Sequence, residues 1–423
     1  MSERVPEGWR ETSIGELTKA NSLFCDGDWV ESKDQDPNGS NRLIQLADIG
    51  DGRFINKSAR FLNDEQFERL KCTPLKKGDI LVARMPEPLG RACLYPINSG
   101  RAATIVDIAI IRTPNADHQW LVSAINSADF RASIDLNASG TTRTRIARGA
   151  LAKLKIIAPP LPEQQKIAKI LTSVDEVIEK TQAQIDKLKD LKTGMMQELL
   201  TNGVGVDGKP HTEFKDSPIG RIPKCWGVKP LESVVERIVD CEHKTAPYVD
   251  KSDYLVIRTS NVRNGSLVFN DMKYTHADGY NDWTKRAVPT VGDVLFTREA
   301  PAGESCLVPE RLKVCMGQRM VLLRPNKKSI IPSFFSSYLT SETASKLIYD
   351  LSIGTTVTRI NIEDIRRIPC VVPPLEEQHQ ISEALSSVQQ LLDKKSEKLF
   401  SLQNTKKALM QDLLTGKVRV TID

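Results

Sequence analysis

Two short segments carry residue types suited to gripping a phosphate backbone. They are Gly140-Thr141-Thr142-Arg143-Thr144-Arg145-Ile146 and Gly354-Thr355-Thr356-Val357-Thr358-Arg359-Ile360. A glycine turn presents backbone amides, threonine adds hydroxyl donors and arginine adds a forked cation, and all three bond phosphate oxygens. The same residues have a plainer use: Gly and Thr shape a turn and cap the short helix after it, with Arg145 and Arg359 paired locally. The threonines Thr144, Thr355 and Thr356 suit the turn at least as well as a phosphate, whereas Arg143 and Arg145 favour the phosphate. Arg84 and Arg298, which follow matching Gly-Asp-Ile-Leu and Gly-Asp-Val-Leu segments, complete the candidate DNA-binding set. Residues 131–155 hold Arg131, Arg143, Arg145, Arg148, Lys153 and Lys155 against Asp135 alone. Such a cluster attracts nucleic acid or simply solvates a face.

Other chemistries fail on spacing. Gly203-Val-Gly-Val-Asp-Gly208-Lys209 approaches a phosphate-loop pattern, but Pro210 stands where a hydroxyl must meet magnesium, and the segment follows a helix. Glu31-x-Lys33 and Glu242-x-Lys244 match the tail of a nuclease signature without an upstream strand aspartate. The histidines at 118, 211, 243, 276 and 379 show no metal-ligand spacing, and the eight cysteines contain no C-x-x-C pair. The nucleophile elbow, the dinucleotide loop and the Asn/Asp-Pro-Pro-aromatic tetrapeptide of amino-methyltransferases are missing. No catalytic residue, metal or cofactor is expected, and the chain reads as a binding protein.

Any such loops must be held by something, and two long stretches dominate the chain. Pro159–Thr201 returns as Pro373–Thr415 at an offset of 214, with 17 of 43 positions identical. Each opens on Pro-Pro-Leu, which suits a helix start. Apolar residues follow at 4-3 spacing: Ile167, Leu171, Val174, Ile178, Ile185 and Leu188, then Ile381, Leu385, Val388, Leu392, Leu399 and Leu402. The ladder breaks at Thr181 and Lys395 and again at Lys192 and Lys406. This spacing is a coiled-coil seam, and each helix should run about 60 Å.

The repeat extends further. Val5-Pro6-x-x-Trp9 matches Ile222-Pro223-x-x-Trp226, and Gly90–Pro96 matches Gly303–Pro309, with Cys93 and Cys306 expected to pack as apolar residues. The chain is therefore a tandem duplication of globular unit and long helix. Residues 1–158 and 202–372 form the units, 159–201 and 373–415 the helices, and 416–423 a tail. Strand-like runs are expected within 42–49 and 254–262, each followed by a turn, further strands over 80–83, 104–112, 294–297 and 320–323, and helices over 120–136 and 332–351. Residues 202–223 should be a loop. The fold class is α+β: two mixed units separated by two long helices that form an antiparallel coiled coil, with an internal pseudo-two-fold repeat. At 423 residues, 27% charged and 40% hydrophobic, with net charge +5, the composition is that of an ordinary soluble protein. The opening MSERVPEGWR has no apolar run, so neither a signal peptide nor a membrane span is expected, and the scattered cysteines suit a reducing cytoplasm.

The duplicated Pro-Pro-Leu-x-Glu-Gln helices (Pro159–Gln164, Pro373–Gln378), their Leu-Leu-Thr ends and the Ser217-Pro-Ile-Gly-x-Ile-Pro-x-x-Trp226 restart resemble the specificity subunit of Type I restriction-modification systems, over essentially the full length. The resemblance implies that each unit is a target recognition domain reading one half of a split, asymmetric site on double-stranded DNA. It implies that the helices act as a spacer and dock two modification subunits that methylate adenine N6, joined for restriction by motor-nuclease subunits. It implies no catalysis by this chain. The alternative is a free-standing DNA-binding or architectural protein.

Overall fold

The structure, a computed structural model, describes residues 5–140, 144–205, 209–354 and 358–422. The chain divides into two compact units, one formed by residues 1–182 with 397–423 and the other by 183–396. Each unit thus takes half of each long helix.

In the first unit an antiparallel sheet has the order Leu23–Asp26, Ile108–Arg112, Ile80–Ala83, Ala92–Leu94. The strand at 80–83 is apolar at every position because both of its faces are covered. Ile80 and Val82 join a core with Trp9, Trp120, Ile134 and the long-helix residues Ile167 and Leu171. Leu81 and Ala83 join another with Ile44, Cys93, Tyr95 and Ile110. A smaller sheet runs Phe61–Leu62, Asn41–Ile44, Ala102–Thr104, the last two strands parallel. Arg10–Ser13 pairs with Lys155–Ala158 and so ties the start of the unit to the approach of the long helix.

The second unit repeats this plan. Its antiparallel sheet has the order Val235–Asp240, Met320–Pro325, Val294–Thr297, Ser305–Leu307. Val294 and Phe296 face one core and Leu295 another. A second sheet again contains one parallel pair, Tyr254–Ile257 with Lys313–Met316. The repeated Gly-Asp pair has a shared purpose. Asp79 takes both forks of Arg112 at 2.7 Å, and Asp293 takes Arg324 at 2.8 and 2.7 Å. Cys93 and Cys306 are buried, as expected, and burial lifts each thiol to about 12.

Several expectations need correction. The helix expected over 120–136 is two helices, His118–Ile125 and Ala128–Leu136, and that over 332–351 is likewise split into Pro332–Leu339 and Glu342–Leu351. A serine causes each break: Ser127 and Ser341 cap the second helix of the pair by accepting the amides of Phe130 and Ala344. The strand-like runs within 42–49 and 254–262 form Asn41–Ile44 and Tyr254–Ile257, each followed by a 3₁₀ turn, Leu46–Asp48 and Thr259–Asn261, whereas the strand expected over 104–112 divides into Ala102–Thr104 and Ile108–Arg112. The segment read as a loop over 202–223 contains a hairpin, Phe214–Ser217 with Gly220–Pro223.

The long helices span Leu161–Leu199 and Leu375–Leu414. They pack antiparallel: Asp175 pairs with Lys406 at 2.5 Å, Gln184 accepts from Lys395 at 2.7 Å and Gln389 accepts from Lys192 at 2.7 Å. Ile167, Leu171, Ile185, Ile381, Leu385, Val388 and Leu392 are buried, while Val174, Ile178, Leu188, Leu399 and Leu402 are half-buried. The breaks in the apolar ladder are therefore used. Three are the lysines just named, each bonded across the pair, and the fourth, Thr181, is buried with its hydroxyl on the Val177 carbonyl. Polar contacts of this kind select one register, which apolar rungs alone leave loosely specified.

Candidate nucleic-acid interface

The described residues on either side of each Gly-Thr-Thr segment pair with one another. Ser139 and Arg145 exchange backbone hydrogen bonds of 2.9 and 2.8 Å, and Ile353 and Arg359 do the same at 2.8 and 2.9 Å. Gly140 and Gly354 both have φ +103°, a conformation that disfavours any side chain. Just beyond each pair an isoleucine, Ile146 or Ile360, is fully buried and plugs the chain into the unit.

An arginine strut stands beneath each loop. The Arg84 carbonyl accepts the Ile146 amide at 3.1 Å, and its guanidinium donates to the Ile146 carbonyl at 3.4 Å and the Val106 carbonyl at 2.5 Å. The Arg298 carbonyl accepts the Ile360 amide at 3.0 Å, and its Nε donates back to the Ile360 carbonyl at 3.3 Å. Asp26 neutralises Arg84 at 3.0 Å, and Asp240 neutralises Arg298 at 2.7 Å. Burial holds the Arg84 guanidinium below its ordinary value, and Asp26 pulls it back up. Arg84 and Arg298, expected to meet DNA, have guanidinium groups that face inward and are already bonded within the chain, an arrangement suited to positioning the segment above them.

The other candidates lie as follows. Thr144 is exposed, and Arg145 is partly exposed with Nη2 3.3 Å from Asp107. Arg359 is exposed. Arg143, Thr355 and Thr356 lie outside the described residues. The surrounding basic cluster is largely matched by acids: Arg131 bonds Asp51 at 2.8 Å and Lys155 bonds Glu11 at 2.9 Å. A large apolar side chain precedes each loop and stands in solvent, Leu136 at 85% exposure in one unit and Tyr349 at 70% with Ile353 at 59% in the other. Sequence reading passed over these, and also over Asp26 and Asp240. The aspartates fall at the same offset of 214 as the loops, which was the available signal.

The Pro-Pro-Leu-x-Glu-Gln motif proves to be a joint. Glu163 and Glu377 are buried, and each accepts an indole N–H: Trp9 at 3.1 Å and Trp226 at 2.8 Å. Gln164 accepts the Asp117 amide and donates to the Pro159 carbonyl; Gln378 accepts the Ile331 amide and donates to the Pro373 carbonyl. The motif thus fastens helix start, unit opening and the Asp117 or Ile331 loop together. Glu163 also takes Arg419 of the tail at 2.6 Å. Glu377 takes the Val204 and Gly205 amides at 2.9 Å, so the glycine-rich stretch that mimics a phosphate loop does hold an anion, a carboxylate of its own chain.

Comparison with known proteins identifies the family. The family model of the type I restriction modification DNA specificity domain matches twice, at residues 6–190 and 223–401. A Methanocaldococcus jannaschii sequence carrying the name of the type I restriction enzyme MjaX specificity subunit is 27% identical, covering 98% of this chain and 95% of its own length. The EcoKI specificity subunit of Escherichia coli K12 is 24% identical over 47% of this chain and 44% of its own. The crystal structure of the S subunit from M. genitalium superposes with a TM-score of 0.59 at 14% identity, covering 98% of this chain and 97% of that one. Among the described residues no helix is long and apolar enough to cross a membrane. The chain belongs to the type I restriction-modification DNA specificity family, whose members recognise DNA and leave catalysis to other subunits.

Proposed function

We propose that this chain reads a bipartite, asymmetric site on double-stranded DNA, with residues 1–158 and 202–372 as its two target recognition domains. The observation that carries the reading is the repeated device of a Gly-Thr-Thr segment between paired flanks on an Asp-supported arginine strut, beside an exposed apolar side chain. Loop amides, Thr144, Arg145 and Arg359, with Arg143, Thr355 and Thr356 from the sequence, supply phosphate contacts. Leu136, Tyr349 and Ile353 suit apolar contact with base edges such as the thymine methyl. Two major-groove readers on one face of B-DNA sit about 34 Å apart, so the unread spacer needs a stiff support, a role suited to the antiparallel long helices. Their outward faces would dock two adenine-N6 modification subunits, with motor-nuclease subunits joining for restriction, in the cytoplasm where the host DNA lies.

Exchange of residues 1–155 for the corresponding segment of a relative tests the reading. One half-site of the methylated sequence is expected to change and the other to stay. A change in both, by methylome sequencing of a host that also carries the modification subunit, overturns independent reading.

The loop arginines are expected to act through charge. Arg143→Ala with Arg145→Ala should weaken binding across unrelated sequences and flatten the log–log salt dependence by up to about two units. An unchanged slope in a folded variant returns both to a structural role.

A further inference from the structure

The two joints differ in how they balance a buried carboxylate. Glu163 has a permanently charged partner in Arg419, whereas fully buried Glu377 has His211, whose Nε2 lies 2.8 Å from Oε1. With its Nε2–H committed to Glu377, the imidazole turns its Nδ1 lone pair outward. The Cys225 Sγ lies 3.9 Å from that Nδ1. Of the eight cysteines Cys225 is the exposed one. In the repeat its place is taken by Gly8, in Val-Pro-Glu-Gly-Trp against Ile-Pro-Lys-Cys-Trp. His211, Cys225 and Glu377 bring their ligand atoms within 4.8 Å of one another.

We propose that His211 and Cys225 bind a soft divalent cation of the Zn²⁺ type, a site present in the second unit and without a counterpart in the first. His211 Nδ1 and Cys225 Sγ are the direct ligands. Glu377 is the outer carboxylate that fixes the tautomer and aim of the imidazole, as metal-bound histidines usually require. Glu377 already accepts from Trp226, Val204 and Gly205, so it is suited to this supporting place and not to direct ligation. Bond lengths of about 2.1 Å to nitrogen and 2.3 Å to sulfur separate two tetrahedral ligand atoms by roughly 3.6 Å. A closure of a few tenths of an ångström from 3.9 Å is enough, and Cys225 is exposed. A solvent-open depression of about 440 Å³, lined by Thr212, Glu213, Lys224 and Pro210 beside the two ligands, leaves room for water in the remaining positions. As the metal–sulfur bond forms, the thiol proton passes to solvent. The bound ion would clamp the 202–223 connector to the restart of the second unit, the task that Arg419 performs for the tail.

The test uses the purified full chain, stripped with a chelator and titrated with Co²⁺. One equivalent is expected to bind and to produce near-ultraviolet thiolate-to-cobalt absorption, which excess Zn²⁺ then abolishes. Cys225→Ser should remove the band while leaving the metal-free melting temperature unchanged. His211→Ala should weaken binding at least about tenfold. Zn²⁺ should also slow maleimide labelling of Cys225 in the parent chain, a readout that does not depend on any substitution. Absence of the band, its survival in Cys225→Ser, or labelling indifferent to Zn²⁺ overturns the proposal.

Discussion

Replacing Glu377 by alanine should destabilise the second unit by about 3–5 kcal/mol, the usual cost of removing one partner from a buried charged network. The side chain is fully buried and accepts the Trp226 indole, the His211 ring and the Val204 and Gly205 amides, all at 2.8–2.9 Å. Alanine leaves those donors facing a cavity without an acceptor, and each unsatisfied donor costs roughly 1–3 kcal/mol. Some relief comes from water, because the depression at His211 is open. Glu163→Ala should cost less. It strands one indole, and Arg419 is 43% exposed and can turn to solvent. Urea melts of the two variants separate the cases. A Glu377→Ala loss no larger than that of Glu163→Ala would contradict this account of the joint.

The second large effect concerns the long helices. Four residues inserted after Lys189 alone lie between Gln184, held by Lys395, and Lys192, held to Gln389. Four residues are about 6 Å of helix axis, so one of those pairs must break, and this variant is expected to melt earlier. A matched insertion after Leu391 restores both pairs, because the second helix then grows between the same two partners. The doubly inserted chain should keep its melting temperature and recognise unchanged half-sites. Its unread spacer should grow by one or two base pairs, since a step of B-DNA rises about 3.4 Å. Methylome mapping with the modification subunit present decides the matter. A folded, assembled double variant that still methylates the original spacing would show that the helices do not set it.

Much of the fold is legible in the residues taken in order. The long helices follow from a 4-3 apolar ladder, and the duplication from an offset of 214 that never slips across 43 positions. The buried strands at 80–83 and 294–297 follow from the apolar runs Ile80–Ala83 and Val294–Phe296, the second closed by Thr297. These are local or periodic signals, and burial of one face or both follows directly from them. Helix ends were less legible: Ser127 and Ser341 look like ordinary polar positions until their hydroxyls are found on the next turn's amides.

The candidate site was half legible. The glycines, threonines and arginines of each loop stood out by type, but type did not separate Arg359, which faces solvent, from Arg84 and Arg298, which face inward. Nor did it say that the repeated Glu-Gln of each helix start is a clamp on a distant tryptophan. Composition and periodicity determined the duplication, the helices and the absence of catalytic spacing. Tertiary structure alone decided which charges are struts and which are free, because a buried charge takes its partner from whatever residue folding brings beside it: Asp26 lies 58 positions from Arg84, and Glu163 lies 256 from Arg419.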